Sequence, residues 1–139
     1  MRQWRDEIPL YYEYTAGLAG ERFLRGLMDG KILGGYYESC KETFLPPRVY
    51  CVSCFGEVKR FVEVPPVGKI AAITEDYGPR GGAAKKGRDR FAYITFEGVT
   101  GGMLHVVVGR AKVGSVVRPK FKEEAERRGS ILDIEGFQE

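Results

Sequence analysis

The sequence predicts a mainly β protein with an N-terminal helical arm, in which a rubredoxin-like zinc ribbon with one ligand missing is followed by an OB-fold barrel. Three observations carry that expectation. All three cysteines, Cys40, Cys51 and Cys54, lie in the segment from Tyr37 to Cys54, at the spacing of paired metal-binding turns. Near Gly56 the hydrophobic pattern changes from helical spacing to short alternating runs. Those runs are rich in β-branched and aromatic residues and are separated by glycine and proline. The expected division is a helical arm over 1–33, a zinc-ribbon-like module over 34–56 and the barrel over 57–139.

In the arm, Trp4, Ile8, Tyr11 and Tyr12 fall at helical spacing, but Pro9 interrupts a continuous helix. From Glu21 to Met28 the residues Phe23, Leu24, Leu27 and Met28 form one apolar stripe, with Glu21, Arg22 and Arg25 off it. Gly30 follows as a C-terminal stop. The chain has few places to bury Trp4, Tyr11, Tyr12, Tyr14, Phe23 and Leu27 together. Two outcomes follow: part of this surface meets another protein, or the arm packs on its own ribbon.

A structural zinc ribbon sets two C-x-x-C turns opposite each other, so that four thiolates enclose the metal. Here Cys51 and Cys54 complete the second turn, whereas Tyr37 occupies the position three residues before Cys40. Phenol is a poor zinc ligand at neutral pH. Zinc on Cys40, Cys51 and Cys54 would take water, or a carboxylate such as Glu38 or Glu42, as its fourth ligand. Alternatively the ribbon persists by hydrophobic packing, with reduced cysteines acting as small apolar groups. An odd cysteine count without a hydrophobic signal stretch points to a reducing, cytoplasmic setting.

Strand candidates after the ribbon are Val58 to Val64, Gly68 to Tyr77, Arg90 to Glu97, Gly102 to Val108, Ser115 to Phe121 and Ser130 to Phe137. Within them Phe91, Tyr93 and Thr95 alternate with Ala92, Ile94 and Phe96, while Gly98 and Gly101-Gly102 supply hairpin turn chemistry. Lys122 to Arg128 is charged and helix-compatible, ending at Gly129. Short strands in this number suit a small closed or nearly closed barrel, with the OB-fold leading.

With 139 residues, 43% of them hydrophobic and 29% charged, and a net charge of +3, the chain is neither disordered nor membrane-spanning. That charge is far below the footprint of a dedicated nucleic-acid binder. The one histidine, His105, sits in the alternating run Met103 to Val108 and reads as an ordinary strand residue. There is no Walker loop and no H-E-x-x-H motif. Gly78-Pro79-Arg80-Gly81-Gly82 departs from the dinucleotide pattern and reads as a loop. It opens the most basic stretch of the chain, where Arg80, Lys85, Lys86, Arg88 and Arg90 surround one acid, Asp89. Such residues contact phosphates or partner carboxylates, or simply keep a surface loop solvated.

Several segments, in order, carry a family resemblance: Trp4-Arg5, Gly34, Cys40, Pro46-Pro47-Arg48 with Cys51-x-x-Cys54, and Val113-Gly114-Ser115-Val116-Val117 leading into Phe121. Over nearly its whole length the chain resembles the zinc-ribbon and OB-fold proteins that accompany acyl-CoA enzymes, a family catalogued as a domain of unknown function. It departs from the pattern at Tyr37, where the family commonly has cysteine, and in a longer stretch between Tyr14 and Gly34. The resemblance implies a non-catalytic scaffold subunit. Related archaeal proteins look like the bridge between an acetoacetyl-CoA thiolase and a hydroxymethylglutaryl-CoA synthase in the mevalonate route to isoprenoids. On that reading Cys40, Cys51 and Cys54 hold zinc, Pro46-Pro47-Arg48 shapes the turn between them, and Arg80, Lys85, Lys86 and Arg88 contribute to a shared CoA or acyl-CoA site. No membrane is involved. The competing expectation is a single-stranded nucleic-acid-binding OB-fold protein, with Tyr77, Phe91 and Tyr93 as a stacking surface beside the basic loop.

Overall fold

The computed structural model describes residues 9–75 and 90–139. Trp4, Ile8 and the basic stretch from Gly78 to Asp89 lie outside the described residues, as does Tyr77. The first regular element is helix α1, Gly17–Met28, which starts one turn before the stripe suggests. It ends as the sequence predicts. Gly30 takes a left-handed backbone (φ 75°), its N–H donates to the Leu27 carbonyl at 3.0 Å, and the Lys31 N–H donates to Gly26 at 2.8 Å. This reciprocal pair is the Schellman stop, in which glycine adopts positive φ without a Cβ penalty.

The first sheet contains β1 (Leu33–Tyr37), β2 (Glu42–Leu45), β3 (Arg60–Glu63) and the short β6 (Thr100–Gly101), in the order β3-β1-β2-β6. The second contains β4 (Gly68–Glu75), β5 (Arg90–Phe96), β7 (Met103–Val106), β8 (Val116–Phe121) and β9 (Ile134–Gln138), in the order β7-β5-β4-β8-β9. A parallel bridge between Val107 and Phe137 joins the two outer strands, and the Val108 N–H donates to the Phe137 carbonyl at 2.8 Å. That bridge closes the second sheet into the expected five-stranded OB barrel and removes its edges.

Three expectations are corrected. The strand predicted from Val58 to Val64 pairs with β1 in register from Leu33↔Glu63 to Tyr36↔Arg60. These four residues, expected among the barrel strands, therefore extend the ribbon sheet to Glu63. Lys122 to Arg128 yields only a 3-10 turn at Glu124–Glu126. The last predicted strand opens with a second 3-10 turn, Ile131–Asp133, before β9 begins at Ile134.

Asp133 explains both late changes. Its buried carboxylate accepts the backbone N–H groups of Arg128 at 3.0 Å, Gly129 at 2.7 Å and Ser130 at 2.9 Å, while the Ser130 hydroxyl accepts the Leu132 N–H at 3.2 Å. The spacing Ser130-x-x-Asp133 is a capping box. Burial alone would raise the Asp133 pKa, but the three N–H donors and the nearby Lys122 charge hold it below the ordinary carboxylate value. The ionised form therefore stabilises the fold. Its contribution is complete above the unfolded value of about 3.9 and is lost as pH falls through the lowered native value. Asp133→Asn is expected to lose about 1.5–3 kcal/mol at pH 7. Urea unfolding of both proteins should show this gap shrinking below about pH 4; a gap that stayed constant there would contradict the assignment.

One apolar cluster unites the modules. Barrel residues Ile70, Ile94, Phe96, Val117, Ile134 and Phe137 pack with Leu27 from α1 and Leu45 from β2, together with Ile32 and Val64. The helix stripe thus faces the barrel through Leu27, Phe23 and Leu24. By contrast, the residues before the helix are uncovered: Leu10 is 70% exposed, Tyr11 94%, Tyr12 65% and Tyr14 84%. The arm divides into a packed half and an open half.

Candidate metal centre

Two turns face each other at the end of the ribbon sheet. The first joins β1 to β2, running from Tyr37 through Cys40 to Lys41. The second, from Cys51 through Cys54 to Phe55, is flanked by a bridge between Tyr50 and Glu57. In each, the residue after the last cysteine, Lys41 or Phe55, has φ 56°, a conformation uncommon outside glycine. The matched backbone makes Tyr37 the counterpart of Cys51, and both are buried.

The three thiols converge. Cys40 Sγ lies 3.5 Å from Cys51 Sγ and 3.8 Å from Cys54 Sγ, and all three sulfurs fall within 4.8 Å of one another. A tetrahedral ion with zinc–sulfur bonds of about 2.3 Å separates its thiolates by roughly 3.8 Å, close to the two distances from Cys40. The Ser53 N–H points at Cys51 Sγ at 3.3 Å. Burial opposes the Cys51 thiolate, but donation from the backbone of Cys54 and Ser53 and from the neighbouring thiols outweighs it, bringing the pKa down to about 7. Cys40 behaves oppositely. Burial and its thiol contacts with Cys51 and Cys54 push it up to about 11. Without metal, Cys51 ionises before Cys40.

Tyr37 is not arranged as a ligand. Its ring lies in the ribbon core, 5.4 Å from Phe44 in an edge-to-face contact, beside Cys51 and Val58. Its hydroxyl donates to the Arg48 carbonyl, and burial raises its pKa and disfavours the phenolate. Pro46-Pro47-Arg48 shapes this contact: the Leu45–Pro46 peptide is cis, and Pro47 lies over Gly35, where an added Cβ would come within 3.2 Å of it. Of the two sources named for a fourth ligand, water or a carboxylate such as Glu38 or Glu42, neither glutamate is gathered with the thiols: among the described residues the group is Cys40, Cys51 and Cys54.

The remaining predicted site residues are not brought to this centre. Arg80, Lys85, Lys86 and Arg88 lie outside the described residues. Arg90, at the edge of the same basic stretch, donates to the carbonyls of Gly109 at 2.9 Å and Ala111 at 2.7 Å. His105 is buried in the barrel wall: its Nδ1 accepts the Val106 N–H at 2.9 Å, and its Nε2 lies 3.1 Å from the Ile131 carbonyl. Those partners select the neutral tautomer protonated on Nε2. Sequence reasoning missed the Tyr37–Arg48 contact, which leaves no spacing signal, and the role of Asp133, whose capping-box spacing was present but unread.

No family model matches the chain, and no curated protein matches it. Solved structures do. The chain is 34% identical to a Sulfolobus solfataricus protein of unknown function from the DUF35 family, over 78% of this chain and 81% of that one, with a TM-score of 0.68. A structure named Ltp2-ChsH2(DUF35) aldolase has the same fold at 17% identity, over 76% of this chain and 85% of that one, with a TM-score of 0.61.

Proposed function

Because the chain belongs to the DUF35 family, we propose that it is a non-catalytic accessory subunit that holds an acetoacetyl-CoA thiolase and a hydroxymethylglutaryl-CoA synthase-like enzyme together. In this role it serves the mevalonate route to isoprenoids in the cytoplasm, with Arg80, Lys85, Lys86 and Arg88 contributing to a shared CoA site. The observation that carries the reading is the open half of the arm, where Leu10, Tyr11, Tyr12 and Tyr14 stand uncovered. Tyrosine buries a large rigid area at low entropic cost and is enriched where proteins meet. The pairing of a DUF35 chain with Ltp2 in a structure named as an aldolase supports an enzyme as the partner.

The benefit of such a bridge is mass action. Condensation of two acetyl-CoA molecules is uphill, so an adjacent synthase consumes the product before it diffuses away or reverts. The nucleic-acid alternative draws less support. Arg90, beside the outward-facing Phe91 and Tyr93, spends its guanidinium on backbone carbonyls rather than presenting it to a phosphate.

The test is reconstitution with the thiolase and the synthase of the same genome, followed by light scattering of the mixture. A ternary complex is expected with the wild-type chain. The Tyr11→Ser/Tyr14→Ser variant should bind about tenfold more weakly or worse at an unchanged melting temperature. Full binding by that variant would remove the arm from the interface, and failure of the wild type to bind either enzyme would defeat the proposal.

A further inference from the structure

We infer that Cys40, Cys51 and Cys54 form a three-thiolate site for a soft cation such as zinc, and that its fourth position is left open to an exogenous thiolate. This is independent of which enzymes the chain assembles with. The matched turns place Tyr37 where a closed ribbon carries its fourth thiolate, yet the hydroxyl is engaged by the Arg48 carbonyl and the ring by Phe44. No carboxylate or imidazole among the described residues joins the three sulfurs, and His105 is held in the barrel by Ile131. The described residues therefore supply three donors.

The open side is also defined. Cys51 is buried, Cys40 half-buried and Cys54 exposed, so the cluster opens to solvent at Cys54. Next to it the backbone at Gly56 packs closely on the cluster: a Cβ there would sit 3.3 Å from Cys54 Sγ and 3.4 Å from Ser39 Oγ. Val52 and Phe55 of the same turn, and Tyr50 beside it, are all exposed, Phe55 to 80%. Three thiolates already select a soft ion, and such an ion takes a further sulfur in preference to oxygen. An incoming thiol would release its proton to solvent, and its sulfur would take the place of water at an ion held by Cys40, Cys51 and Cys54.

The probe is cobalt(II), added to metal-free protein reduced with a phosphine, followed by titration with 2-mercaptoethanol while the thiolate-to-cobalt absorption is recorded. One equivalent of cobalt should bind, and 2-mercaptoethanol should raise the absorption by about one third as the fourth sulfur enters a tetrahedral site. Tyr37→Phe should respond identically. Tyr37→Cys, if folded, should start at the higher value and ignore the added thiol. The inference is overturned if the wild-type chain binds no cobalt, if its absorption does not change with thiol, or if Tyr37→Phe alters the starting spectrum.

Discussion

Replacement of Phe137 by alanine is expected to destabilise the protein by about 3–5 kcal/mol, the range for removing a large side chain from a core. Phe137 is fully buried in β9. It packs edge-to-face on Phe96 at 6.4 Å and on His105 at 5.7 Å. Its backbone forms the parallel bridge to Val107 that closes the barrel, so truncation opens a cavity at the seam. Urea denaturation should show a lower midpoint with a nearly unchanged slope, whereas a loss under 1 kcal/mol would mean that the seam repacks easily.

The second large effect is expected at Gly101→Ala, with a loss of about 3 kcal/mol from the sum of a strained backbone and overpacking. Gly101 has φ 95°, and a Cβ there would fall 2.2 Å from the Leu45 carbonyl oxygen. That oxygen accepts the Gly102 N–H at 2.9 Å, and the register Leu45↔Gly101 is the point at which β6 attaches the barrel to the ribbon sheet. Backbone cannot give way as a flexible side chain can, so β6 must detach from β2. Hydrogen exchange should then show lost protection at the Gly102 amide; unchanged protection and stability would contradict this role.

Much of the fold was legible because local pattern and final burial agree. On β5, Ala92, Ile94 and Phe96 face the core while Tyr93 faces out, as the two-residue alternation requires. The cysteine spacing located the thiol cluster for the same reason: turn geometry is set within a few residues. What escaped the sequence depends on distant partners. Whether Arg60–Glu63 joins the ribbon or the barrel is decided by β1, and no property of those four residues encodes that choice. Gly101-Gly102 reads as hairpin chemistry, but its glycines answer close contacts with Leu45 and Ile94. The helical propensity of Lys122 to Arg128 loses to the Asp133 carboxylate, which binds the backbone after Arg127 in a non-helical turn. Tyr37 was recognisable as a missing ligand, although its bond to Arg48 was not.

The accessory-subunit role is tested most directly by affinity isolation of the tagged chain from its native cell extract, at moderate salt after nuclease treatment, with mass spectrometry of the proteins that co-purify. Recovery of a thiolase together with a hydroxymethylglutaryl-CoA synthase-like enzyme is the predicted result. Recovery of nucleic-acid machinery in their place, or of no stable partner, would contradict it.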